Sequence, residues 1–196
     1  MIKRLIASLP TYGTVIPDLQ INGAPAPYPV VNERAVRAGA GMLFVAGMFA
    51  FFHAWYINEY LYLKILVVLL LIDFAAKVVL GPRYSPVSRL AQFIVHKQTP
   101  EYVGAIQKRF AWSIGLFLAT TMAILIFGFS ILGPVNLLIC SICLIFMFME
   151  SAFGICVGCK IYHALVSVGW ISKPEHAPVC PGNVCTPVDD TTRHPS

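Results

Sequence analysis

Charged residues are scarce in this chain: Asp, Glu, Lys and Arg make up only 12% of its 196 residues. A soluble domain carries roughly 25%. Hydrophobic residues instead reach 58%, and the mean hydropathy is +0.74. This composition excludes an ordinary soluble domain and indicates an integral membrane protein whose main partner is the lipid bilayer, since about 20 apolar residues form one membrane-spanning helix.

The motifs of familiar enzymes are also missing. The chain has no phosphate-binding loop, no dinucleotide fingerprint and no paired histidines at haem or zinc-protease spacing. Its formal charge is +5, but the basic residues stand beside apolar segments rather than in one patch. We therefore expect them to set membrane topology, and we expect no nucleic-acid partner.

Four apolar segments are long enough to cross a bilayer. We predict an all-α fold, an integral membrane four-helix bundle, with spans at residues 35–57, 61–80, 110–132 and 135–156. Around this membrane domain, which we place at residues 34–163, the sequence predicts a proline-rich cytoplasmic arm (1–33) and a flexible cysteine-containing cytoplasmic tail (164–196).

The long middle connection contains one further helical pattern. Apolar residues recur at Val87, Leu90, Ala91 and Ile94, which is a helical spacing. We expect a short amphipathic helix on the cytoplasmic surface of the membrane.

The basic residues that flank the spans all fall on one side of the membrane under this interpretation. They are Lys3, Arg4, Arg34, Arg37, Arg83, Arg89, Lys97, Lys108, Arg109, Lys160, Lys173 and Arg193. Because cytoplasmic loops carry an excess of Lys and Arg, both termini and the middle loop are predicted to be cytoplasmic.

Four stretches of sequence resemble one family in the same order. They are VNERAVR (31–37), GPRYSP (81–86), QKRFA (107–111) and ESAFGICVGCKIY (150–162). Together they resemble small bacterial integral membrane proteins known only as a domain of unknown function, DUF4395. The resemblance extends from about Val30 to Tyr162. It implies a four-span protein of the bacterial inner membrane with a Cys-x-Gly-Cys motif, and it implies no activity.

The Cys-x-Gly-Cys motif, Cys156 to Cys159, follows the last predicted span. Residues three apart share a face of a helix at about 5–6 Å, wider than a disulfide prefers, but Gly154 and Gly158 allow the helix to end or bend here. Lys160 favours a thiolate and a helix C-terminus opposes it. The motif predicts a redox, persulfide or metal-binding dithiol, and the alternative is small residues packing a helix end.

A second pair, Cys180 and Cys185, flanks a Pro-Gly-Asn-Val turn in the tail. With Cys156 and Cys159 it can supply the four thiolates of a structural zinc site, or pass oxidation or sulfur between tail and core. A simply disordered tail is the third alternative. Buried cysteines within a span usually act as small hydrophobic residues, so we expect no chemistry from Cys140 and Cys143, which lie inside the fourth span.

Charged residues within spans raise a functional question because burying them is costly. Asp73 and Lys77 are four apart in the second span, and Glu150 lies at a similar depth in the fourth. We predict that these three and Arg83 form one electrostatic cluster, either for function or as an ion-pair network that fixes helix packing. Glu150 points away from the dithiol unless the fourth helix breaks at Gly154.

Two functions from different classes fit these features. The first is a membrane protein with cytoplasm-facing dithiols that acts as a thiol redox or sulfur (persulfide) relay, with Cys156, Cys159, Cys180 and Cys185 as its reactive residues. Its partner would be a thioredoxin-like or sulfur-carrier protein. The second is a non-catalytic subunit or scaffold of a complex with other membrane subunits, whose tail is held by zinc or by a partner. No internal inverted repeat supports a transporter.

The predicted topology is tested with reporter fusions. Alkaline phosphatase, which needs an oxidising compartment for its disulfides, is expected to be active when fused after Asn58 and inactive when fused at the C-terminus. A cytoplasmic fluorescent reporter is expected to show the opposite pattern. An active phosphatase at the C-terminus would contradict the orientation.

Overall fold

The computed structural model describes residues 20–21, 24–25 and 29–170, and this part of the chain is mostly helical. The α-helices are α1 Glu33–Phe52, α2 Leu61–Ala75, α3 Pro86–Ile94, α4 Ala105–Ala123, α5 Pro134–Phe153 and α6 Val157–Ser167. Wider π-helical turns extend α1, α2 and α4 at their C-terminal ends, at His53–Ile57, Ala76–Leu80 and Ile124–Gly128.

Three of these helices are long and apolar enough to cross a membrane, with their π turns included. They are Glu33–Ile57, Ala105–Gly128 and Pro134–Phe153. The first, third and fourth predicted segments are thereby confirmed as membrane-type helices, although the third ends at Gly128 rather than at residue 132. The second predicted segment is also one continuous helix, from Leu61 to Leu80, and it differs from the others because its three charged residues, Lys64, Asp73 and Lys77, are spread along the helix and not confined to one end.

Two short antiparallel strand pairs accompany the helices, and the all-α prediction missed them. Strands β1 (Gln20–Ile21) and β2 (Ala24–Pro25) pair with each other. Strands β3 (Val30–Asn32) and β4 (Tyr102–Gly104) directly precede α1 and α4. Their pairing places the N-terminal ends of α1 and α4 side by side.

Small residues allow the long helices to approach closely. A Cβ atom added to Gly47 of α1 would lie 2.7 Å from Cδ2 of Leu144 in α5. A Cβ atom added to Gly115 of α4 would lie 2.9 Å from the ring of Phe74 in α2. The bundle therefore depends on glycine at these two crossings.

Helix α3 confirms the short helix predicted in the middle connection. Ser85 caps its N-terminus by accepting a hydrogen bond from the Ser88 N–H at 3.0 Å. Ala91 and Val95 are buried against Ala35 of α1. Leu90, Phe93 and Ile94 form an exposed apolar strip. Arg89 and Gln92 occupy the polar side, so the helix is amphipathic, and its position on the membrane surface stays a prediction.

A buried carboxylate joins α2 to the start of α3. Asp73, which is 1% exposed, accepts hydrogen bonds from the Ser85 hydroxyl at 2.5 Å and from the Val87 N–H at 3.1 Å. It also pairs with the ammonium of Lys77 at 2.6 Å. Asp73 thus supports the cap of α3 in addition to neutralising Lys77.

Replacing Asp73 with Ala is expected to lower the free energy of unfolding by about 3 kcal/mol, because it leaves Lys77 buried without its counter-ion. Unfolding by SDS in detergent micelles, followed by tryptophan fluorescence, measures the change. The double variant Asp73→Ala/Lys77→Met should recover part of the loss. The control Glu59→Ala removes an exposed carboxylate and should have little effect. Equal losses of unfolding free energy in Asp73→Ala and Glu59→Ala would contradict the structural role of Asp73.

Candidate functional site

The fourth apolar helix ends before the Cys-x-Gly-Cys motif. Gly154 follows Phe153 with a φ of +66°, a left-handed conformation that glycine adopts without strain. The Ile155 N–H closes the turn by donating to the Met149 carbonyl at 3.0 Å. The helix is interrupted at Gly154–Cys156, and Cys156 is the N-cap of α6.

The break after Phe153 bears on a question that the sequence left open, since a helix C-terminus at the cysteines would oppose a thiolate and Lys160 would favour it. Both cysteines instead lie at the N-terminal end of α6. The partial positive charge of a helix N-terminus stabilises negative charge there.

The two thiols of the motif are in direct contact. Their Sγ atoms are 2.6 Å apart, with the Cys159 S–H donating to the Cys156 sulfur. The Cys159 N–H donates to the same sulfur at 3.3 Å. This hydrogen bond between the thiols, together with burial, raises the pKa of Cys159 above the ordinary value. Of the two thiols, Cys159 is therefore the one held in its protonated form.

A buried ion cluster lies beside the dithiol, and we call Glu33, Lys108 and Glu150 the ammonium cluster. The Lys108 ammonium is 2.8 Å from Oε2 and 3.0 Å from Oε1 of Glu33, and 2.5 Å from Oε1 of Glu150. Lys108 is 1% exposed and Glu33 is fully buried. The ammonium also interacts electrostatically with both thiols. One ammonium and two carboxylates have a formal charge of −1 when all three are ionised, so Lys108 favours a thiolate beside the cluster and Glu150 opposes it.

Helix α6 packs closely against α4. A Cβ atom on Gly158 would lie 2.6 Å from Cα of Ala111, so glycine between the cysteines is what allows this contact. Tyr162 packs against Phe110 with ring centroids 5.5 Å apart. His163 lies 3.5 Å from Gln107 (Nε2 to Nε2), and burial lowers its pKa.

The structure divides the predicted electrostatic cluster between two places. Asp73 and Lys77 pair with each other, whereas Glu150 binds Lys108. Arg83 is exposed, and its carbonyl accepts a hydrogen bond from Arg89 Nε at 3.0 Å. Glu150 lies near the dithiol because the helix breaks at Gly154. On an unbroken helix it would point away from the two cysteines, as the sequence indicated.

The remaining cysteines separate into two groups. Cys140 is buried and Cys143 is half-buried within α5, as expected of packing residues. Cys180 and Cys185 lie outside the described residues. Among the described residues, no group of three or more His, Cys, Asp or Glu side chains is placed to hold a metal ion, so the zinc alternative depends on that second pair.

Two members of the ammonium cluster were missed by sequence reasoning. Glu33 and Lys108 both stand beside basic residues at the first turns of two long helices. Lys108 was interpreted as a topology signal, and Glu33 entered only as part of the VNERAVR motif. The sequence did contain a signal for this pair. One acidic and one basic residue stand at equivalent positions in two long helices that begin at the same end of the bundle.

The two thiols are expected to differ in reactivity. Because the pKa of Cys159 is raised, Cys159 stays protonated at pH 9, where an ordinary thiol is largely ionised. Iodoacetamide at pH 7–9 should therefore modify Cys156 at least about tenfold faster than Cys159, as measured by peptide mass spectrometry.

The SDS-denatured protein provides the control, in which both cysteines should react alike. The variant Cys156→Ala should raise the rate at Cys159, because it removes the sulfur to which Cys159 donates. Equal rates in the folded wild-type protein would contradict this assignment of the proton.

The comparison with known proteins yields one match. The family described as "Domain of unknown function (DUF4395)" matches residues 31–167. No curated protein and no solved structure matches the chain. The matched region includes the dithiol, the ammonium cluster and all six α-helices, so this chain belongs to the DUF4395 family.

Proposed function

We propose that this protein is a four-span protein of the bacterial inner membrane, with both termini in the cytoplasm, and that Cys156 and Cys159 form a redox-active dithiol. Three helices have the length and hydropathy of spans. The helix Leu61–Leu80 has the 20 residues that a span needs. Two of its charges, Asp73 and Lys77, are buried as an ion pair, which reduces the cost of placing them in a bilayer.

The position of the site relative to the bundle supports the same orientation. α1 and α4 begin, and α2 and α5 end, at the end of the bundle where the flanking basic residues stand. The dithiol and the ammonium cluster lie at this end as well. By the positive-inside rule it faces the cytoplasm, where a dithiol is kept reduced between reaction cycles.

The contact between the two sulfurs at a helix N-terminus carries the functional proposal. In thiol–disulfide exchange, Cys156 attacks a disulfide of a partner protein and one partner thiolate leaves. Cys159 then loses its proton and attacks the Cys156 sulfur, which breaks the mixed disulfide. The partner leaves with two reduced thiols, the two electrons having come from Cys156 and Cys159, which end as a disulfide.

Each charged group near the dithiol has a role in this exchange. The helix N-terminus and Lys108 stabilise negative charge on Cys156. Glu150, which is partly exposed at 16% of its side chain, is the carboxylate through which protons pass between the buried cluster and water. Glu33 and Lys108 act as positioning residues, since they hold the cluster in place. The partner is a thioredoxin-like protein, because such proteins present paired thiols for exchange.

A redox titration of the full-length protein tests this proposal. In buffers of defined glutathione ratio, Cys156 and Cys159 are expected to form an intramolecular disulfide in one two-electron transition. Alkylation of the remaining thiols, followed by peptide mass spectrometry, locates each disulfide. Cys156→Ser and Cys159→Ser should abolish the transition, and the control Cys140→Ser, which changes a packing thiol, should retain it.

Other outcomes separate the alternative functions. An added sulfur atom on Cys156, detected by mass before any reductant is used, would assign the site to persulfide transfer instead. If oxidised glutathione leaves both thiols free in the folded protein, the redox proposal is wrong. Co-purification of a stoichiometric membrane partner that survives loss of all the cysteines would then favour the non-catalytic subunit.

A further inference from the structure

A cavity of about 90 Å³ lies inside the bundle next to the dithiol. Val157 and Gly158, the two residues between the cysteines, form part of its wall, as does Glu150 of the ammonium cluster. A molecule in this cavity therefore contacts the peptide that links the two thiols.

The walls of the cavity suit a flat ring with a polar edge. Phe74, Trp112 and Phe146 contribute aromatic side chains to the lining. The Lys77 ammonium also lines the cavity, 5.4 Å from the ring centroid of Phe74 and 5.7 Å from that of Trp112. Aromatic faces pack against flat rings, and an ammonium has three N–H donors, of which Asp73 takes one. A ring that carries carbonyl oxygens matches these groups.

The volume limits the size of the ligand. A water molecule needs about 10–15 Å³ of such space, so the cavity holds about six to nine non-hydrogen atoms. The ring and two oxygens of a simple quinone fit this range. A flavin or a nicotinamide nucleotide is too large.

The cavity is reached from the apolar side of the bundle. Ile114 and Leu118 of α4, and Phe146 of α5, line it and are only half-buried. α4 packs more extensively against α2 than against α5. The less tightly packed boundary between α4 and α5 therefore gives access to a ligand that is dissolved in the bilayer.

We propose that this cavity receives the carbonyl-bearing ring of a membrane quinone, with the ring substituents and the isoprenoid tail outside it, and that the quinone oxidises the Cys156–Cys159 dithiol. The inference rests on the redox function proposed above. Two S–H bonds break and one S–S bond forms, and the two electrons pass to the quinone ring. The two thiol protons end on its two oxygens, which gives the quinol. A thioredoxin-like dithiol then reduces the Cys156–Cys159 disulfide and leaves as a disulfide, which is the exchange described above run in the opposite direction.

Binding is tested separately from the redox step. In the variant Trp55→Phe/Trp170→Phe, which removes two exposed tryptophans, Trp112 is the only fluorophore of its kind. A benzoquinone with a short isoprenoid tail, added to this protein in detergent, should quench Trp112 saturably. Additional Cys156→Ser should leave the quenching unchanged.

A pair of matched substitutions locates the site. Ile114→Phe fills the cavity and should weaken binding at least about tenfold, whereas Ile124→Phe makes the same change at an exposed position of the helix that contains α4 and should have no effect. Ala40→Leu fills the cavity from α1 and replaces Ile114→Phe if that variant does not fold. Non-saturable quenching, or equal quenching in the cavity and control variants, would overturn the assignment.

The redox step is measured with the reduced full-length protein under anaerobic conditions. Quinol, followed by its ultraviolet absorbance, should form in a one-to-one ratio with the disulfide located by peptide mass spectrometry. Cys156→Ser should bind the quinone but form no quinol. If oxidised glutathione forms the disulfide and the quinone neither binds nor oxidises the thiols, the quinone proposal alone is wrong. If neither oxidant forms the disulfide, the redox function itself is wrong.

Discussion

The arrangement of this protein depends on one buried ammonium group. Lys108 of α4 binds Glu33 of α1 and Glu150 of α5, and it interacts with the two thiols of α6. A buried charge costs several kcal/mol unless its partners surround it. The need to satisfy this single charge therefore brings four helices to one point, and the dithiol lies there because α6 is one of the four.

A second buried charge, on Lys77, is neutralised by a contact that serves helix packing alone. Asp73 and Lys77 lie in consecutive turns of one helix, and the remaining capacity of the carboxylate is used by the cap of α3. The ammonium cluster differs in three respects: its members come from distant segments, one carboxylate reaches water, and reactive sulfurs adjoin it. These differences are the reason why the proposed function is assigned to the ammonium cluster and not to the Asp73–Lys77 pair.

Hydropathy and charge predicted the helices well, because a bilayer requires long apolar runs, and the family resemblance was confirmed. The short strands β3 and β4 were missed, since three residues that pair across 70 positions leave no periodic pattern. The sequence predicted only part of the candidate site. The cysteines are a motif, but their position at the start of α6 depends on one left-handed residue, Gly154. The ammonium cluster depends on tertiary contacts that no local pattern records.

The separation of Glu33 and Lys108 by 75 residues has a consequence for biosynthesis. The ribosome delivers the acidic partner first, and α1 and α2 are synthesised before the lysine. During this interval Glu33 must remain protonated or stay at the water boundary. Insertion of α4 brings the missing cation, and Glu150 arrives last. The final position of α1 is therefore set by a charge that is synthesised two spans later, which makes assembly of this end of the protein a late event.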